Sequence, residues 1–176
     1  MSAFTVRAVD AAAIAAARPR LGEIMIDCVE HGASIGFLSP LGADEADAYW
    51  QRIERAVADG RCVLFVAETA AGDLAGTVQL DIDTLPNQMH RGTVSKLLVA
   101  TAARRQGIGE ALMVELERVA AELGRWLLIL DTATDAAERL YERLGWSRSG
   151  VIPDYALNPD RSLTPTAFYW KRLTSP

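Results

Sequence analysis

The sequence predicts a single α/β domain with a mixed sheet, and three observations carry that reading. The apolar run Leu97-Leu98-Val99 leads through a glycine-containing loop into an amphipathic helix, and then into a second apolar run, Trp126 to Leu130. This is a βαβ unit, whose two strands run parallel beneath a right-handed crossover. Cys62 to Ala67 and Leu74 to Asp81 flank the turn signal Ala71-Gly72-Asp73, which predicts an antiparallel hairpin. Finally, 176 residues of which 50% are apolar can bury one substantial core, and no linker, repeat or low-complexity stretch divides them. The domain is therefore expected to occupy residues 1–176.

The elements follow in order. Phe4 to Val9 alternates as a strand. Leu21, Ile24, Met25, Cys28 and Val29 have helical spacing, as do Ala46, Tyr49, Trp50, Ile53 and Val57 before Gly60. The hairpin comes next, then a strand from Thr93 to Val99. Ile108, Leu112, Leu116, Val119 and Leu123 form the apolar stripe of the following helix, with Glu110, Glu117 and Glu122 off it and Gly124 as its stop. Asp135 to Leu144 predicts a short helix, in which Asp135 and Glu138 have capping-box spacing. The segment 152–165 has the prolines and aspartates of a loop, and Thr166 to Arg172 closes the sheet.

Composition excludes several functions. A net charge of −5 does not supply the basic face that displaces counterions from nucleic acid. No apolar run approaches the ~20 residues that span a bilayer, and no basic segment leads into an apolar signal core; a soluble, cytoplasmic chain is expected. Two histidines rule out a multi-histidine metal centre. Cys28 and Cys62 lack metal-like spacing and are expected to be reduced core residues. Nothing here fixes oligomeric state, and a homodimer is left open.

The loop Arg104-Arg105-Gln106-Gly107-Ile108-Gly109 carries the chemistry. Glycines at alternate positions, entering a helix directly, leave main-chain N–H groups unpaired where a polyanion can sit. Gln106, Gly107, Ile108, Gly109 and Glu110 are the expected donors, with Arg104 and Arg105 either reaching the phosphates or remaining solvated. A P-loop would need a longer glycine spacing followed by Lys and Ser or Thr, which is absent. A dinucleotide fingerprint would need a small residue where Leu112 stands, although Asp131 lies near the distance of a ribose-binding acid.

Strand, Arg-x-x-Gly-x-Gly, helix and second strand, followed by Ala137-Glu138-Arg139-Leu140-Tyr141-Glu142-Arg143-Leu144-Gly145-Trp146, together resemble the GCN5-related N-acetyltransferases. His31-Gly32-Ala33-Ser34-Ile35-Gly36-Phe37, Lys96-Leu97 and the tail around Pro159 and Thr164 to Ala167 are similar to the tabtoxin-resistance branch of that family. The resemblance implies a sheet of about seven strands with a splayed parallel pair, flanked by about four helices. It implies acetyl-CoA as cofactor, with its pyrophosphate on the loop amides. The acyl-pantetheine arm would pair with the main chain of Leu97, Leu98 and Val99, and contact Thr134 and Ala137. Tyr141 would give a proton to the departing thiolate, or else be a core tyrosine.

The implied acceptor is a small amine, of an amino-acid-like toxin or antibiotic, and a non-catalytic acyl-CoA sensor of the same fold is the alternative reading. Asp131 could take the ammonium proton or could stabilise a turn. His31 could act as a base, or could simply end a helix. Ser34, Ile35 and Phe37 are candidates for the acceptor pocket, with Asp154 and Tyr155 fainter ones. Two positions depart from the family pattern: threonine stands at 134, where many members have Asn, and at 93, near where many have a basic Glu.

Overall fold

The structure, a computed structural model, describes residues 4–173. In chain order the elements are β1 (Phe4–Val9), α1 (Ala11–Glu30), α2 (Ala43–Ala58), β2 (Cys62–Thr69), β3 (Leu74–Asp81) and β4 (Arg91–Val99). They continue with α3 (Ile108–Glu122), β5 (Leu127–Thr132), α4 (Asp135–Arg143), β6 (Ser147–Leu157) and β7 (Leu163–Arg172). The seven strands form one sheet in the order β1-β2-β3-β4-β5-β7-β6. All neighbours are antiparallel except β4 and β5. This is the mixed α/β architecture that the sequence predicts.

Helices cover both faces of the sheet, which explains why β2 is a continuous apolar run. Its Leu64 and Val66 pack with Ile14, Leu21, Met25 and Trp50 of α1 and α2. Phe65 and Ala67, one residue out of phase, pack with Ile108, Leu112 and Leu116 of α3. The α3 stripe ends earlier than expected. Leu123 is the C-terminal cap residue and is 48% exposed.

Three boundaries differ from the sequence reading for physical reasons. α1 begins ten residues before Leu21, at Ala11: Asp10 accepts a hydrogen bond from the Ala13 amide at 2.8 Å, and an alanine-rich first half needs little burial to be helical. Asp135 does not cap α4. Thr134 does, its hydroxyl accepting from the Ala137 amide at 3.4 Å, and Asp135 is the first helical residue. The expected loop 152–165 instead contains most of a hairpin between β6 and β7. Nearly every residue of β6 is exposed, and Pro153 and the left-handed Asp154 (φ 52°) interrupt its pairing, so it carries no alternating apolar signal.

The end of α4 is held firmly. Gly145, at φ 81°, takes the left-handed turn that lets the Trp146 amide donate to the Tyr141 carbonyl at 3.0 Å. The buried Trp146 indole then donates to Glu117 of α3 at 2.8 Å, and the Lys171 ammonium of β7 donates to Glu117 and to the Leu144 carbonyl, both at 2.6 Å. From β7 the Tyr169 hydroxyl donates to Glu138 at 2.6 Å. Cys28 and Cys62 are buried free thiols. No helix among the described residues is long and apolar enough to cross a membrane.

At Gly76 of β3 the side chains of α3 press directly on the sheet. A Cβ there would come within 2.8 Å of the Leu98 carbonyl oxygen, 3.2 Å of Ile108 and 3.3 Å of Leu112. Gly76→Ala is expected to cost about 1–3 kcal/mol of stability through overpacking. Urea unfolding of the two proteins measures this.

Candidate functional site

β4 and β5 pair only through Arg91↔Leu127, Gly92↔Leu128 and Thr93↔Ile129, and then separate. On its other edge β4 carries a bulge, because Thr77 faces Leu98 while Gln79 faces Ser95. Val78 is thus opposite two residues, Lys96 and Leu97, and Lys96 takes a left-handed conformation with φ 51°. The bulge and the separation leave open space between β4 and the start of α4.

Two cavities occupy that space. One, of about 490 Å³, runs over the loop before α3 and is lined by Leu97, Leu98, Val99, Arg104, Arg105, Gly107 to Glu110, Thr134, Ala137 and Leu140. The other, of about 310 Å³, is lined by Ser34, Ile35, Lys96, Asp131, Tyr141 and Tyr155, among others. Ala33, Leu97, Thr134 and Ala137 border both, so the two are contiguous.

The first cavity exposes the N-terminus of α3, whose chemistry suits an anion. Gly107 caps α3 at φ 83°, and the first helical hydrogen bond runs from the Ala111 amide to the Gly107 carbonyl at 3.0 Å. The amides of Ile108, Gly109 and Glu110 therefore have no protein acceptor among the described residues, and they sit at the positive end of the helix dipole. A Cβ on Gly109 would lie 3.5 Å from Leu140 and 3.9 Å from Val99, so a side chain there would grow into the gap between β4 and α4. Arg105 lines this cavity, whereas Gln106, an expected donor, does not. Arg104 also lines it but is partly engaged. Its Nε donates to the Val99 carbonyl at 3.2 Å, and its guanidinium lies 3.9 Å from Cys28 Sγ.

At the end of β4 the Val99 carbonyl accepts from Arg104 and also from Cys28 at 3.6 Å, while Leu97, Leu98 and Val99 all line the first cavity. Leu98 turns its side chain into the α1–α2 core, where it is 1% exposed. Burial raises the Cys28 thiol above its ordinary value, with Arg104 working against the rise. A buried, largely protonated thiol is a poor nucleophile.

The second cavity brings Asp131 and Tyr141 together. Asp131 lies within β5, paired with Phe168, since the strand continues past the apolar run Trp126 to Leu130 as far as Thr132. Tyr141 is 6% exposed, and its ring is held by Trp146 and Tyr169 at centroid distances of 5.9 and 6.1 Å. Its hydroxyl makes no hydrogen bond among the described residues. Burial pushes its pKa well up, and the Asp131 charge adds to the effect. Thr134 caps its helix while bordering both cavities, and Thr93, at the last parallel pair, borders neither.

Ser34, Ile35 and Tyr155 line this second cavity, the last from a strand and not a loop. Two other candidates do not. Phe37 lies outside it and packs edge-on against Tyr49, ring centroids 5.5 Å apart. His31 caps the C-terminus of α1 and borders the first cavity, away from Asp131 and Tyr141. Its Nδ1 is 2.7 Å from the Asp27 carbonyl oxygen and 3.2 Å from the Asp27 carboxylate. Burial would raise the Asp27 carboxyl, but the Thr101 amide, which donates to it at 2.7 Å, together with His31 and Arg104 outweighs it and holds it below the ordinary value. His31 therefore ends a helix and joins a local charge cluster. Lys96 is the residue of this cavity that sequence reasoning missed. It appeared only as a point of resemblance, and its one local signal, a lone cation inside an apolar strand, does not reveal a bulge.

Residues 60–148, just over half of the chain, match the family model of the acetyltransferase (GNAT) domain. Among solved structures the chain is similar to a ribosomal-protein-alanine N-acetyltransferase from Brucella melitensis, at 25% identity and TM-score 0.78, over 96% of this chain and 99% of that one. It is also similar to a phosphinothricin acetyltransferase from Sinorhizobium meliloti, solved in complex with acetyl-CoA, at 22% identity and TM-score 0.78, over 97% and 89% of the two chains. An N-acetyltransferase from Staphylococcus aureus matches over 97% and 99% of the two chains, with 18% identity and TM-score 0.79. Together with a sheet that parts beside the unpaired amides of α3, the family match places the chain in the GNAT acetyltransferase family.

Proposed function

We propose that the protein is an acetyl-CoA-dependent N-acetyltransferase, acting as one domain, that transfers an acetyl group directly to a small amine. The observation that carries this reading is the row of three unpaired amides, Ile108 to Glu110, continuous through one space with the unpaired Tyr141 hydroxyl. Those residues fit a pyrophosphate-bearing thioester. Each charge-assisted bond from an amide to a phosphate oxygen contributes about 1.5–3 kcal/mol, so the loop needs no cluster of buried cations.

Acetyl-CoA, when bound, supplies an acetyl group already activated as a thioester. The chain has three tasks: to orient donor and acceptor, to accept a proton from the amine, and to return one to sulfur. Leu97 and Ala137, which border both cavities, and Leu140, which borders the first, supply an apolar wall for the pantetheine arm. Asp131, exposed at the second cavity, accepts the ammonium proton directly or through water. Tyr141 donates the proton needed by the departing thiolate, and its raised pKa keeps that proton available. Thr93 cannot replace Asp131 as a base. Cys62 borders neither cavity, and Cys28, which borders the first, is buried with its thiol pKa raised, so neither is suited to a covalent acyl-enzyme.

The similarity to the tabtoxin-resistance branch, and to a phosphinothricin acetyltransferase, supports an amino-acid-like acceptor of the toxin or antibiotic class. A panel of small amines, assayed by release of free thiol from acetyl-CoA, tests the reaction. Measurable acetyl-CoA binding with no thiol release from any amine would overturn it in favour of a sensor.

Two substitutions separate the parts of the proposal. Gly109→Val is expected to weaken acetyl-CoA binding about tenfold or more, equivalent to one lost charge-assisted bond, as read by calorimetry. Tyr141→Phe is expected to lower kcat by about 100-fold or more while acetyl-CoA affinity stays within about twofold. The raised pKa means that Tyr141 keeps its proton beyond the ordinary tyrosine value of ~10. The wild-type pH–rate profile is accordingly expected to rise as the amine becomes neutral and to show no descending limb below about pH 10.

A further inference from the structure

Lys96 is a charged group that neither the fold nor the transfer step uses. It and Asp131 are the two charged residues lining the second cavity. The ammonium makes no hydrogen bond or ion pair among the described residues. It lies 5.9 Å from the centroid of the Tyr49 ring, and a Cβ on Gly36 would come 3.9 Å from its Nζ, which places it beneath the 33–37 loop. The backbone at Lys96 is left-handed, a conformation that costs a lysine more than a glycine and is found where the side chain's placement matters.

A cation held in such a place needs an anion. Stacking against Tyr49 only partly replaces lost hydration, and an apolar side chain would fill the space at lower cost. Burial lowers the Lys96 pKa, Asp131 works against the fall, and Arg52 adds to it. Arg52 itself stands 5.5 Å from the centroid of the same Tyr49 ring. Two cations thus converge on one aromatic ring, which is fixed by a hydrogen bond from its hydroxyl to Gln79 at 2.9 Å and by Phe37 packed edge-on against it.

We propose that Lys96 is a specificity residue that receives a carboxylate of the acceptor, so that the preferred acceptor is an amino acid with its amine toward Asp131 and Tyr141 and its carboxylate at the β4 bulge. This deepens, and rests on, the transferase reading above. An acceptor without the carboxylate leaves Lys96 unpaired in the occupied cavity. Discrimination by a site built around a polar group comes from that unpaired partner.

The test is steady-state kinetics with the free amino acids and their matching carboxamides as acceptors, for the wild type and for Lys96→Met. An amide makes the neighbouring amine less basic, so more of it is neutral, and chemistry alone would favour the carboxamides. The wild type is expected to favour the free acids by about 10- to 100-fold in kcat/KM, chiefly through KM. Lys96→Met is expected to remove that preference by slowing the acids alone, with acetyl-CoA affinity unchanged. Equal use of acids and amides by the wild type overturns the proposal without needing any variant, and leaves the transferase reading intact. So does an equal fall on both series in Lys96→Met, which would mark a general role in proton transfer or packing. Silence toward every amine, with acetyl-CoA bound, removes the transferase reading and this inference with it.

Discussion

The candidate site depends on the parting of β4 from β5. Up to Thr93↔Ile129 the two strands satisfy each other's main chain. Beyond it they turn away, and each finds pairing elsewhere: β4 stays on β3, and β5 stays on β7 as far as Thr132↔Ala167. An unpaired inner edge in the middle of a sheet normally costs the full hydrogen-bonding capacity of its backbone. Here part of that capacity is met locally, since Val99 accepts from Arg104 and Cys28. The remainder opens onto the two cavities.

Keeping the gap open requires that its walls be held independently. α3 is pressed on β3 at Gly76, and α4 is tied through Trp146 and Glu117 to α3, and through Lys171 and Tyr169 to β7. Because Tyr141 belongs to the element so tied, its ring is positioned by contacts far from its hydroxyl. The hydroxyl itself is thereby left without a partner while the ring is fully packed. That combination of fixed position and free valence suits a proton donor better than a tyrosine whose hydroxyl is already bonded, such as Tyr169.

Features governed by local rules were legible in the sequence, whereas those set by tertiary geometry were not. The parallel pair, the hairpin, the α3 stripe and the glycine entry to α3 each have a period or a turn residue within a short window, and the structure contains them. β6 lacked such a signal because an edge strand exposed along nearly its whole length needs no apolar alternation. Within the site, Ser34, Ile35, Asp131, Tyr141 and Tyr155 face one cavity. His31 and Phe37, close in sequence to Ser34, point elsewhere: one is drawn back by Asp27 at the end of α1, and the other is captured by Tyr49. Proximity along a loop does not determine the direction of a side chain. Lys96 was hidden for the same reason, since strand periodicity presumes a regular ladder and a bulge is defined by its failure.

The distribution of unpaired polar groups supports reading these cavities as functional and not as packing faults. Among the described residues Trp50 Nε1 and Thr77 Oγ1 also lack partners, but both are enclosed by the core, where an unmade bond costs about 1–3 kcal/mol of stability and meets no open space. The amides of Ile108 to Glu110, the Tyr141 hydroxyl and the Lys96 ammonium differ in that their residues line the two cavities, where the proposed partners are an anion, a leaving thiolate and a carboxylate. The net charge of −5 does not oppose this arrangement, because main-chain dipoles act within a helical turn while scattered surface carboxylates are screened over about 8–10 Å. An acidic protein can therefore hold a polyanion at one helix end and a carboxylate at one bulge, and still attract a cationic amine to the space between them.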